Sequence, residues 1–139
     1  MTARGLTLTA LLLLLLAIPV SAKSYSIPHA RTVLEVNPDG SVNVTEEYTY
    51  RFDGIFSYAY RDIPTGSYRM DGFQVYSEGR RLRHEVFRRN DLRVKWFYNA
   101  RNQEKTFTLK YRLTDALECY EDVCDLNWKV WGGGWSIPV

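Results

Sequence analysis

The chain has 139 residues, with 18 Lys or Arg against 16 Asp or Glu, two His, and a formal net charge of +2. That length suits one domain with a real core, and the near balance of charge argues against a polyanion-binding protein as a whole. Ten Tyr, six Phe and four Trp, together with frequent Thr and Val, lean the composition towards β-structure.

Residues 1–22 have the layout of a secretory signal. Arg4 precedes a leucine run at residues 11–16, the run ends at the small-residue stop Val20-Ser21-Ala22, and no acidic residue occurs before Glu35. The apolar stretch, residues 6–18, includes Thr7 and Thr9, and Pro19 breaks it. A membrane span needs about 20 apolar residues, so a signal-peptide helix cleaved after Ala22 is the expectation and an uncleaved anchor the alternative. Residues 23–139 then form one extracytoplasmic domain, secreted or at the cell surface.

Within that domain the dominant pattern has period two. Thr32, Leu34 and Val36 predict a short strand, and Asn37-Pro38-Asp39-Gly40 supplies hairpin chemistry, with Pro fixing φ and Gly free to take positive φ. Val42, Val44, Tyr48, Tyr50 and Phe52 then share one face of a second strand, opposite Asn43, Thr45, Glu47, Thr49 and Arg51. Glu46 falls on the apolar parity, which predicts a bulge, a place at the core rim or a partnered carboxylate. Asn43-Val44-Thr45 matches a glycosylation sequon, but inside a predicted strand.

Phe73 and Val75 open a short strand that Glu78-Gly79 turns back towards Leu82 and Val86. Leu92, Val94, Trp96 and Tyr98 predict the next strand, residues 99–104 a turn, and Phe107, Leu109, Tyr111 and Leu113 another strand. Leu126, Trp128 and Val130 predict the last clear one. No segment of residues 23–139 keeps an apolar period of 3.6. Seven or eight short antiparallel strands make the fold class all-β, a β-sandwich in preference to a barrel. If residues 135–139 lead into a further strand, that strand is missing and a sheet edge lies bare.

Phe56, Tyr58, Tyr60, Arg61 and Asp62, closed by Ile63-Pro64, are the most distinctive stretch. Read as a strand, the three aromatics line one face with Arg61 and Asp62 at its end. Two roles compete: a ligand-binding platform for a glycan or peptide, and an aromatic core strip with a structural ion pair, on which burial places the greater weight. Cys119 and Cys124 would close a hairpin through a disulfide in an oxidising compartment. His29 and His84 lie too far apart in sequence to suggest a zinc site with them, and the spacing is not that of a redox dithiol. No metal or cofactor is expected.

Residues 80–95 carry seven basic side chains, among them Arg80, Arg81, Arg83, Arg88 and Arg89, while residues 115–125 carry five acidic ones. Contact with a membrane surface through those arginines is one reading. The other is a solvated strand face paired with the acidic hairpin. Nucleic acid is not expected outside the cell. Nothing resembles a nucleophile elbow, and no two carboxylates are shown by the sequence to converge, so no catalytic residues and no enzyme are expected. The expected role is recognition of a protein or glycan at the cell surface. The alternative is a structural module whose bare sheet edge docks a further part of the chain or another chain.

The series Asn37-Pro38-Asp39-Gly40-Ser41-Val42-Asn43-Val44-Thr45-Glu46, then Phe-x-Tyr-x-Tyr-Arg-Asp-Ile-Pro, then Leu126-Asn127-Trp128-Lys129 resembles the domain of unknown function 2207 family of predicted prokaryotic membrane proteins. The resemblance implies a signal peptide, an extracytoplasmic β-domain, and further strands and membrane helices beyond Val139. It implies no catalytic residue and no ligand.

Overall fold

The computed structural model describes residues 22–130. The leader and residues 132–139, with the further strand expected there, lie outside the described residues. In chain order the strands are β1 (Ser24–Val36), β2 (Val42–Asp53), β3 (Ile55–Ile63), β4 (Arg69–Ser77), β5 (Arg80–Arg81), β6 (His84–Arg88), β7 (Leu92–Arg101), β8 (Glu104–Thr114), β9 (Leu117–Cys119) and β10 (Cys124–Leu126). Among the described residues no helix is long and apolar enough to cross a membrane.

The predicted hairpin joins β1 to β2, with Val36 opposite Val42. Gly40 takes φ 80° in its turn, a conformation nearly free of cost for glycine alone. The Asp39 carboxylate accepts hydrogen bonds from the Ser41 hydroxyl and, at 3.0 Å, from the Ser41 backbone N–H. Those bonds, the hydroxyl's first, hold the Asp39 carboxyl below its ordinary range. β1 begins eight residues earlier than Thr32, because Tyr25 and Ile27 extend the alternation. A register shift between Ser26 and His29 absorbs Pro28, which lacks an N–H and is tolerated on an edge strand.

One sheet has the order β1-β2-β8-β4-β5 and a second the order β3-β7-β6, with β9 and β10 forming a separate ribbon. Every pairing is antiparallel. The predicted alternations of β2, β7 and β8 turn Val42, Val44, Tyr48, Leu92, Val94, Trp96, Phe107, Leu109 and Leu113 into the shared core. The sheets meet through their aromatics: the Trp96 ring lies 5.6 Å and the Tyr98 ring 4.6 Å from that of Phe107. This is the expected sandwich.

Consecutive strands do not always stay in one sheet. β2 passes to β3 through Gly54, and β7 passes to β8 at Asn102-Gln103, the centre of the turn expected at residues 99–104. The two crossings are tied together, since Gly54 N–H donates to Asn102 Oδ1 at 2.6 Å and Asn102 N–H donates to the Gly54 carbonyl at 3.1 Å. Likewise β4 turns into β5 beside it, but Val86 lies on β6 in the other sheet. The last predicted strand is shorter than its pattern. β10 stops at Leu126, and Trp128 and Val130 follow outside any strand. The Trp128 ring is instead buried 6.2 Å from that of Tyr111, so its periodicity records core burial and no ladder.

Candidate functional site

The structure separates the five residues singled out on β3. Between Phe56 and Tyr58 the pairing with β7 shifts, two residues of β7 standing opposite Ser57. The shift turns the strand over. Phe56 goes inward, its ring 4.9 Å from that of Phe52 and 5.7 Å from that of Tyr25. Tyr58 and Tyr60 face outward, 51% and 43% exposed. The expectation of one face for all three aromatics is corrected by this irregularity, which period-two reading cannot see.

Arg61 and Asp62, being neighbours on a strand, also point to opposite sides, and no ion pair joins them. Arg61 is buried, its Nε 3.5 Å from Glu46 Oε2. It also donates to the Tyr48 hydroxyl at 3.2 Å and to the Asp62 carbonyl at 2.6 Å. Glu46 is thus a partnered carboxylate, one of the three predicted alternatives. It accepts from the Tyr48 hydroxyl at 2.6 Å and from the Tyr111 hydroxyl at 2.7 Å. Burial first, then the Glu46 charge, pushes both phenols well above their ordinary pKa. Arg61 therefore faces the interior of the sandwich.

Asp62 faces out with Tyr58 and Tyr60. Its carboxylate takes two bonds from Arg93, at 2.6 and 2.8 Å, a bidentate geometry that fixes both side chains. Register then builds an open face on the β3-β7-β6 sheet. Tyr58 stands opposite Phe97, Tyr60 opposite Lys95 and Asp62 opposite Arg93, while Glu85 and Phe87 of β6 stand opposite Lys95 and Arg93. Cations back the rings: Lys95 Nζ lies 4.2 Å from the centroid of Tyr58, Arg93 Cζ 4.2 Å from Tyr60, and Arg83 Cζ 3.9 Å from Phe97. Each such contact is worth about 0.5–1 kcal/mol at an exposed site and holds the ring against the sheet. A groove of about 700 Å³ continues the face, lined by Asp62, Phe87, Arg89, Asn90, Asp91, Arg93 and Lys95.

This constellation was only half visible beforehand. The sequence singles out Tyr58, Tyr60 and Asp62 and counts Arg93 and Lys95 among the basic charge of residues 80–95, while nothing in it draws attention to Phe97 or Phe87. The polar parity of Arg93, Lys95 and Phe97 on β7 is the available signal, and the missing information is which strand lies beside β3.

The arginines proposed to touch a membrane do not form one patch. Arg80 and Arg81 lie on β5, at the edge of the other sheet. Arg83 stacks on Phe97, and Arg88 is turned to the Met70 carbonyl at 2.6 Å. Arg89 lines the groove. Nor does the acidic hairpin cover them: among the described residues the ion pairs of these segments are Arg93 with Asp62 and Asp115 with Arg69. The chain crosses between sheets within the basic segment, which splits it.

Cys119 and Cys124 are register partners across β9 and β10, and their sulfurs stand at disulfide distance, 2.06 Å. The Tyr120 N–H closes the turn between them on the Val123 carbonyl at 2.7 Å. Among the described residues no three His, Cys, Asp or Glu side chains are grouped as metal ligands.

A search of curated proteins finds no match to this chain. The family model described as the N-terminal domain of a predicted membrane protein (DUF2207) matches residues 26–139, from β1 through the whole sandwich. The chain belongs to that family.

Proposed function

We propose that this domain is a non-enzymatic, extracytoplasmic recognition module that binds a glycan on the open face of the β3-β7-β6 sheet. The observation that carries the reading is the pair Tyr58 and Tyr60, about half exposed yet each held by a cation at 4.2 Å. Rings fixed in this way offer a free face to the C–H surface of a sugar without losing side-chain freedom on binding. The adjoining groove brings Asp62, Asn90, Asp91 and Arg89, planar groups that donate to or accept from neighbouring hydroxyls. Both charge signs are interspersed there, which suits a neutral polyhydroxy ligand better than a polyanion. The secretory layout of residues 1–22 supports placement outside the cytoplasm.

The test is a glycan array probed with the full chain and with Tyr58→Ala and Tyr60→Ala. Binding to a neutral oligosaccharide, weakened at least about tenfold by either substitution, is the expected result. A blank array, or binding indifferent to both substitutions, contradicts it.

A second reading has its own observation. β3 is the outer strand of its sheet, with nine residues and one side unpaired among the described strands. Such an edge can accept a strand from another chain or another part of the same protein. It is favoured if the array stays blank and a copurifying chain protects the β3 amides from hydrogen exchange.

A further inference from the structure

Between the starts of β1 and β3 the sandwich opens into a cavity of about 280 Å³, which meets the glycan face only at Tyr58 and Tyr60. Its walls are chiefly aromatic: Tyr25, Phe52, Phe56 and Tyr98, with Tyr58 and Tyr60 at the outer side. Ser57, Tyr50 and Lys23 add polar groups to the wall. Tyr50 is only 3% exposed and lines the cavity. Among the described residues Lys23 is the only charged one on the wall, its Nζ 5.0 Å from the centroid of Phe56.

We propose that this cavity binds a small aromatic acid, with its ring among Tyr25, Phe52, Phe56 and Tyr98, a polar ring substituent at the Tyr50 hydroxyl, and its carboxylate at Lys23. The volume falls just under the about 300–1,000 Å³ of clefts that hold drug-sized ligands, so a single substituted ring fits and a chain of rings does not. Aromatic walls select a ring by edge and face contacts. The Lys23 ammonium selects an anion over a neutral or cationic homologue, and the Tyr50 hydroxyl favours a ring that carries a hydrogen-bonding group.

Three probes separate these contributions in an amide NMR titration of the full chain: 4-hydroxyphenylacetate, phenylacetate and 2-(4-hydroxyphenyl)ethanol. The expected result is saturable shifts at Tyr25, Tyr50, Phe52, Phe56 and Tyr98, tightest for the hydroxylated acid. Lys23→Gln weakens both acids about tenfold, bringing the hydroxylated acid to the level of the alcohol and phenylacetate below it. Tyr50→Phe removes the advantage of the ring hydroxyl, about five- to tenfold, while leaving the advantage of the carboxylate. Ala59→Trp, which places an indole on the wall, abolishes binding while the spectrum stays dispersed. The proposal is overturned if no probe gives saturable shifts up to about 10 mM, or if the three bind equally and both substitutions leave them unchanged. Neither Lys23 nor Tyr50 belongs to the glycan face, so these outcomes are independent of the array.

Discussion

Glu46 on β2 and Arg61 on β3 face one another across the sandwich, 3.5 Å apart, with both side chains out of solvent. The pair joins the larger sheet to the edge strand of the smaller one, and Tyr48 and Tyr111 fill the remaining acceptor positions of the carboxylate. A charge at these two positions is costly alone and tolerable together. Replacing Glu46 by Gln is expected to cost about 3–5 kcal/mol in urea unfolding, because the carboxylate facing a buried guanidinium is gone. Adding Arg61→Met to Glu46→Gln should recover most of that loss. A single-mutant cost below about 1 kcal/mol would show that the pair contributes little.

Buried phenols set the alkaline limit of the fold. Tyr48, Tyr50, Tyr98 and Tyr111 are all held above the ordinary phenol range, each first by burial. In the unfolded chain they ionise near pH 10, about the value of a free phenol. Above that pH the unfolded chain binds fewer protons than the folded one, so stability falls as pH rises; below it the contribution is complete. The expected slope is about 1.4 kcal/mol per pH unit for each such tyrosine. Urea titrations between about pH 8 and pH 11 measure it, and Tyr50→Phe should reduce the slope by one tyrosine's share.

Alternation revealed which side chains of β2, β7 and β8 turn inward, because one face of each is buried and the period of a strand is two. It could not reveal partners. Strands β7 and β8 are adjacent in sequence and lie in opposite sheets, and only the crossing at Asn102 decides that. The same limit hid the site. Tyr58 and Tyr60 read as core because they share parity with Phe56, and the shift at Ser57, invisible in composition, turns them to solvent. Glu46 announced itself by standing on the wrong parity, while Arg61, its partner, was indistinguishable from a surface arginine.

Gly54 and Gly40 both have positive φ but differ in space. A Cβ at Gly54, φ 103°, would meet the Cβ of Lys23 at 2.6 Å, whereas one at Gly40 meets nothing within 4 Å. Gly54→Ala is therefore expected to destabilise by about 2–3 kcal/mol and Gly40→Ala by about 1 kcal/mol, from backbone strain alone. Equal costs for the two would remove the steric contribution at the crossing.

The cysteine pair closes a short loop on a ribbon outside both sheets. Reduction, or Cys119→Ser, should lower global stability by no more than about 2 kcal/mol. Hydrogen exchange should quicken in β9 and β10 while the amides of β2 and β8 keep their protection. Loss of protection throughout would mean that the ribbon helps to hold the sandwich.

The most direct test of glycan recognition is to map a neutral oligosaccharide selected on the array onto the amide spectrum of the chain. Shifts should concentrate at Tyr58, Tyr60, Arg93, Lys95 and Phe97 and saturate together, and Tyr60→Ala should abolish them with the fold intact. Shifts confined to β1, β5 or the β9–β10 ribbon, or shifts that persist in Tyr60→Ala, would contradict recognition on the β3-β7-β6 face.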